Sequence, residues 1–301
     1  ADCIRDAGLP AGVFNYIAGS GAAAGEQLVH DARTAGMTFT GSVAVGRSIM
    51  AAMAAGRYPR PCITEMGGKN PVIVTERADL DRAANGLLRS AYGMGGQKCS
   101  AASRLYVHEK VADDLLARIE KQVDAIRIGD PTLRENWLGP VVNARAYENY
   151  SRFVSQLRAG GATLRRGGNP RKEGALARGY YVEPVLAEAP AEHPLWKYEM
   201  FLPILMAQRF RSPDDAMRLA NDTDMGLTAG FYGAPDEVAW FQDNIEAGVT
   251  YANRAQGATT GAWPGYQPFG GWKGSGSSGK AIASAYYLPL YLREQSRTVV
   301  D

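Results

Sequence analysis

The amino-acid sequence predicts an α/β fold with a parallel, doubly wound sheet. Two patterns carry that expectation. Short strand-like runs alternate with helical periodicities, the order that puts helices on both faces of parallel strands. Glycine turns and capping residues separate the runs, so each strand has a place to end and each helix a place to begin. The 301 residues are 46% hydrophobic and 21% charged, enough for one large or two ordinary domains with a real core.

The chain opens Ala1-Asp2-Cys3-Ile4, without Met and already in a helical pattern, and reads as the middle of a protein. Val13-Phe14-Asn15-Tyr16-Ile17 is a strand-like run closed by the turn Gly19-Ser20-Gly21, and residues 22–30 follow as a helix. Met37–Thr40 is a second strand. Gly41-Ser42 then opens a helix with Val45, Ile49 and Met53 on one face. Pro71–Thr75 and Ser103–Val107 read as further strands. Val111, Leu115, Ile119, Val123 and Ile126 form the apolar stripe of a long helix. Tyr150, Phe153, Val154 and Leu157 mark another helix, ended by Gly160-Gly161. Ser212-Pro213 is a capping residue followed by proline at the first helical position, for a helix to about Asn221. Val238, Phe241 and Ile245 face inward on the next, and Gly248–Tyr251 leads into a final core strand.

Residues 256–280 differ. They hold eight glycines together with Trp263, Tyr266, Phe269 and Trp272. A flexible linker has no use for four large rings, so the segment reads as an ordered, ligand-facing loop. Tyr286–Leu292 is too apolar to hang free and reads as a strand that packs on another subunit.

Charge excludes several function classes. The net charge of 33 − 31 = +2 implies no nucleic-acid or anionic-membrane partner. Three cysteines, Cys3, Cys62 and Cys99, read as reduced thiols of a cytoplasmic protein. His30, His108 and His193 have no metal-ligand spacing, so no metal site is expected. No apolar run approaches the ~18–20 residues that span a bilayer, and no signal peptide is visible.

Cys99 is the most informative residue. It sits in Gly95-Gly96-Gln97-Lys98-Cys99-Ser100, where glycine lets a substrate approach closely. A thiolate is a strong nucleophile. Glu65, in Glu65-Met66-Gly67-Gly68-Lys69, would serve as its general base or activate a water. Read alone, Glu65 fits a solvated carboxylate at a strand-ending turn equally well. Thr40-Gly41-Ser42-Val43-Ala44-Val45-Gly46 joins a strand, a glycine turn and a helix start, whose free amides and dipole attract phosphate. The spacing G-S-x-x-x-G is not the usual G-x-G-x-x-G, and a capped helix with a packing glycine fits it as well. Glu199-Met200-Phe201 offers a carboxylate for ribose hydroxyls and a ring for a nicotinamide; in isolation it equals a surface Glu beside a core Phe.

In order, the motifs G-S-x-x-x-G, E-x-G-G-K, G-Q-x-C, E-x-F-x-P and P-F-G-G-x-K-x-S-G resemble the aldehyde dehydrogenase superfamily along the whole chain. The resemblance implies part of a Rossmann-type cofactor domain over 1–66, an α/β catalytic domain over 67–284, and an oligomerisation strand or tail over 285–301. It implies oxidation of an aldehyde with NAD or NADP by a homo-oligomer. Cys99 would attack the aldehyde, and Glu65 would activate the water that hydrolyses the thioester. Gly41, Ser42 and Gly46 would lie near the pyrophosphate, and Gly21 and Gly25 near the adenosine. The Met66 backbone would face the nicotinamide amide, Glu199 the ribose and Phe201 the ring.

A narrower likeness follows. Gly96–Arg104 and Thr260-Gly261-Ala262, with Gln267–Gly271, resemble the 1-pyrroline-5-carboxylate (glutamate-semialdehyde) dehydrogenases. That likeness implies that Ser100 and the amides of Gly261 and Ala262 hold a substrate carboxylate, with Phe269 as an aromatic wall. Departures accompany it. Leu202 stands where the family has Gly, which would reshape the ribose pocket, and Trp263, Pro264 and Tyr266 enlarge the anchor loop. The family's N-terminal portion is missing, so the alternatives are another aldehyde, or a noncatalytic half that needs a partner chain. A cofactor-independent cysteine hydrolase would need a base such as His, and no His lies in a motif.

Overall fold

The computed structural model describes residues 2–257 and 267–301. It opens with α1 (Asp2–Asp6) and a π-helical turn, Gly21–Gly25, that runs into α2 (Glu26–His30). Val13–Ile17 forms no strand, and Val13, Tyr16 and Ile17 stand exposed. An extended segment needs a neighbour to take its amides, and β1 (Met37–Thr40) pairs only with β2 (Cys62–Glu65). These two strands are parallel, with Thr40 opposite Glu65. Between them runs α3 (Val43–Ala54), capped by Ser42, whose hydroxyl accepts the Val45 N–H at 3.4 Å. Ile49 and Met53 bury against Val29 of α2. Val45, expected on the same face, is 48% exposed, because the small cluster that covers this helix ends at Ile49.

The main sheet begins directly after β2. Its seven strands are β3 (Asn70–Val74), β4 (Ala102–His108), β5 (Thr163–Arg166), β6 (Val185–Glu188), β7 (Ile204–Phe210), β9 (Thr228–Tyr232) and β10 (Val249–Ala252), and β8 (Met225–Gly226) lies apart. Their order is β10-β9-β3-β4-β7-β6-β5, and only the β5–β6 pair is antiparallel. On one face lie α4 (Leu80–Tyr92) and α5 (Glu109–Asp124), which bury Leu87, Leu115 and Ile119 completely. On the other lie α6 (Ala144–Ala159), α7 (Pro213–Asn221) and α8 (Val238–Asn244), which bury Phe153, Met217 and Phe241. Each such side chain contributes roughly 1.5–3 kcal/mol by leaving water. The doubly wound arrangement follows from strands that are apolar on both faces: every residue of β3 and β9 is buried.

The strand after Gly248 is β10, which pairs with β9 at one end of the strand order and buries Val249 and Tyr251. One further expectation needs correction. Tyr286–Leu292 contains a 3-10 turn, Leu288–Tyr291, in place of a strand. Pro289 has no N–H to give a ladder. The turn instead rests on β1, where the Thr38 hydroxyl donates to the Tyr291 hydroxyl at 2.9 Å.

The glycine-rich segment holds the two sheets together. β11 (Trp272–Lys273) pairs antiparallel with β8. Residues 275–277 then run along β2: Met66 N–H donates to the Ser275 carbonyl at 2.8 Å, and Ser277 N–H to the Thr64 carbonyl at 3.1 Å. The buried Ser275 hydroxyl donates to the Gly67 carbonyl at 2.6 Å and accepts the Gly226 N–H at 3.1 Å.

Candidate active site

The C-terminal ends of β1 and β2 face the N-terminal ends of β3, β4 and β7. The turns that cross this gap form a cleft of about 650 Å³. Gly41 and Ser42 line it from the end of β1, Met66 and Gly67 from the end of β2. Cys99 and Ser100 line it from the turn before β4, and Glu199 and Phe201 from the turn before β7. A helix start, a thiol, a carboxylate and an aromatic ring therefore share one space. Ligands bind in such crevices at the carboxyl ends of parallel strands.

Backbone geometry builds the thiol's turn. Met94, Gly95 and Gly96 adopt left-handed φ angles of 54°, 66° and 66°. The chain thereby reverses after α4, and Gly96 packs so close to the Leu202 carbonyl that a Cβ would overlap it. Phe201 is also left-handed, at φ 57°, and its half-exposed ring faces the cleft. A non-glycine residue held in this region costs about 1–3 kcal/mol and clusters at functional sites. Cys99 itself packs against the buried group of Phe269, Leu227 and Val249. Phe269 thus belongs to the apolar group that Cys99 packs against. Its backbone pairs with Ile282.

The titratable groups are displaced from their solution behaviour. Burial and the nearby Glu199 carboxylate push the Cys99 thiol up, opposed by the N–H groups of Ser100 and of Cys99 itself. Burial pushes Glu65 up to about 7, opposed by the Gly271 N–H, which donates to Oε2 at 3.3 Å. Glu199 is raised by burial, while its Oε1 accepts the Gly68 N–H at 2.9 Å. Both glycines of the Glu65–Lys69 turn are required: a Cβ on Gly67 would overlap Glu199, and one on Gly68 the Cys99 carbonyl.

Most of the sequence-predicted residues meet here. Gly41, Ser42, Met66, Cys99, Ser100, Glu199 and Phe201 line the cleft. Glu65 lies just behind it, 7% exposed, at the joint with Gly271 and Gly276. Gly46 does not line the cleft: it lies under Met66, whose sulfur a Cβ would meet. Gly21 and Gly25 lie on the π-helical turn, where a Cβ would meet nothing, and neither lines the cleft. The side chain of Leu202 is buried in the main core, off the cleft. Gly261, Ala262, Trp263, Pro264 and Tyr266 lie outside the described residues.

Sequence reasoning missed other members. Thr40, Met94, Gln97 and Lys98 also line the cleft. Lys69 is 1% exposed, and its ammonium has no hydrogen-bond partner among the described residues. The Ser100 hydroxyl is likewise buried and unpartnered. Lys69 stands inside the E-x-G-G-K motif, and that is its only signal. Among the described residues, no group of three or more His, Cys, Asp or Glu side chains has the arrangement of a metal site.

The aldehyde dehydrogenase family profile matches residues 1–296. The chain belongs to the aldehyde dehydrogenase family. It is 36% identical over 306 residues to 1-pyrroline-5-carboxylate dehydrogenase 1 of Halalkalibacterium halodurans, covering 100% of this chain and 57% of the relative. It is 37% identical over 278 residues to the chloroplastic betaine aldehyde dehydrogenase of Amaranthus hypochondriacus, covering 92% and 54%. An NAD-bound 1-pyrroline-5-carboxylate dehydrogenase from Thermus superposes with a TM-score of 0.89 at 36% identity, over 97% of this chain and 56% of that one. The fold is that of the aldehyde dehydrogenases, and the chain spans little more than half the length of these relatives.

Proposed function

We propose that this chain carries the catalytic machinery of an NAD- or NADP-dependent aldehyde dehydrogenase that oxidises an aldehyde to a carboxylate. The observation that carries this reading is the shared cleft of Ser42, Cys99, Glu199 and Phe201, with Glu65 behind it. The residues suit a dinucleotide. The first amides of α3 lack helical partners and attract phosphate at its capped start. The Glu199 carboxylate accepts hydroxyl hydrogens, and the Phe201 ring supplies an apolar wall. A nicotinamide bound there supplies the two-electron acceptor.

The chain's own groups do the rest. Cys99, once deprotonated, adds to the aldehyde carbon to give a thiohemiacetal, which is oxidised to a thioester. The raised Glu65 takes a proton from water near neutral pH, and the resulting hydroxide expels the Cys99 thiolate. The product is a carboxylate, and the thiol is free again. In this reading residues 1–66 end the cofactor domain, 67–284 form the catalytic domain, and 285–301 serve association between copies of the chain.

The finer reading is L-glutamate γ-semialdehyde as substrate. Its support is the buried Ser100 hydroxyl, without a hydrogen-bond partner among the described residues, the apolar group with Phe269 beside Cys99, and the relatives named for 1-pyrroline-5-carboxylate. The betaine aldehyde relative supports an aldehyde without a carboxylate as the alternative. The test is oxidation by the purified chain with NAD or NADP, comparing glutamate semialdehyde with propanal. Turnover is expected to be lost in Cys99→Ala with cofactor binding kept; oxidation that survives that change overturns the reading. Equal efficiency on the two aldehydes removes the carboxylate anchor.

A further inference from the structure

Three successive carbonyls around the thiol, those of Cys99, Ser100 and Ala101, are held by just two side chains. The Asn70 amide donates to the Cys99 carbonyl at 2.7 Å and to the Ala101 carbonyl at 2.8 Å. The Thr228 hydroxyl donates to the Ser100 carbonyl at 3.2 Å. The Asn70 oxygen in turn accepts the Thr228 N–H at 2.9 Å. Asn70 is 2% exposed, at the first position of β3, opposite Ala102 of β4. Both amide hydrogens and the oxygen are used, so the amide has one workable orientation.

A peptide unit is planar and trans, so its carbonyl and its N–H point in opposite directions. Anchoring the Cys99 carbonyl therefore aims the Ser100 N–H. We propose that Asn70 is a positioning residue for Cys99: its grip on the Cys99 carbonyl turns the Ser100 N–H toward the sulfur, where it stabilises the thiolate. This rests on the reading of Cys99 as nucleophile. The Ser100 N–H is one of two donors that hold the Cys99 thiol down against burial. The charged groups around the sulfur come from three places: Glu65 at the end of β2, Glu199 in the turn before β7, and Lys98 beside the thiol. The two carboxylates oppose ionisation, so an aimed amide matters more here than on an open surface.

The test uses alkylation, which needs no turnover. The intact chain is treated with iodoacetamide across pH, and modification at Cys99, Cys62 and Cys3 is read separately by peptide mass spectrometry. Asn70→Ala is expected to slow Cys99 alkylation about tenfold at neutral pH and to raise its midpoint by about one pH unit, as loss of one thiolate hydrogen bond requires. Asn70→Ser, which keeps one donor, is expected to fall between, with exposed Cys3 unchanged. An unmoved Cys99 midpoint, or equal changes at Cys99 and Cys62, overturns the proposal. Should Asn70→Ala fail to fold, the midpoint in Asn70→Ser decides alone. Failure here leaves oxidation by the unaltered chain intact, whereas the nucleophile reading itself fails only if Cys99→Ala retains oxidation.

Discussion

Glu65 and Lys69 occupy one turn and are shifted in opposite directions by the same cause. Burial disfavours charge, so the carboxyl rises to about 7 and the ammonium falls to about 7, the latter aided by Arg104 and opposed by Glu199. For Glu65, in its proposed role of activating water, the consequence is a pH-dependent rate. The rate of thioester hydrolysis should climb through about pH 7 as the carboxyl ionises. Glu65→Gln should abolish that limb and cut steady-state turnover by about 10²–10⁴-fold while a thioester accumulates, as seen by trapping and mass spectrometry. For Lys69 the consequence is stability. Its folded value lies below the unfolded 10.5, so the unfolded chain binds the extra proton between pH 7 and 10.5, and stability rises with pH across that window. Lys69→Met should remove the rise, as measured by urea midpoints at pH 7 and pH 10. The Cys99 thiol and the Glu65 carboxylate were readable as candidates because their motifs set them among glycines. The Lys69 ammonium was not, since nothing local distinguishes a buried lysine from a solvated one.

At the scale of elements, the glycine-rich return segment decides the geometry of the site. Ser275 couples the Glu65–Gly67 turn to β8 through two buried hydrogen bonds. Ser275→Ala leaves a carbonyl and an amide without a partner in the interior. It should destabilise the chain by about 1–3 kcal/mol in denaturant titration and lower turnover together with it. Gly68→Ala should be more damaging to activity than to secondary structure, because the added methyl would push directly on the Cys99 carbonyl. Circular dichroism and turnover measured together would check this; full activity in Gly68→Ala contradicts the close approach. Helices with strong stripes, such as α5 and α6, were legible because 3.6-residue periodicity is a local property. Val13–Ile17 misled for the opposite reason. Its apolar run has strand character, but a strand exists only where another strand takes its hydrogen bonds. Gly46 was readable in two ways, and the structure places it under the Met66 side chain, not on the lining of the cleft.

Across the whole molecule, the cleft exists because two sheets meet end to end. The tail rests on the smaller sheet and keeps Leu288 and Leu292 more than 70% exposed. Such a surface favours association. Sedimentation of the chain should show oligomers that weaken on removal of residues 286–301; an unchanged oligomeric state would place the contact elsewhere. Order along the chain determined much of this protein: an α/β fold, a family, and the thiol, carboxylate and ring proposed to carry its chemistry, all written in short local motifs. Only the tertiary structure decided which of these residues share one space, which glycines are packing, and that Asn70 and Ser275 brace the turns. Motifs specify a residue's neighbours in sequence, whereas a buried amide or hydroxyl takes its role from partners 29 to 208 residues away, brought close by the core.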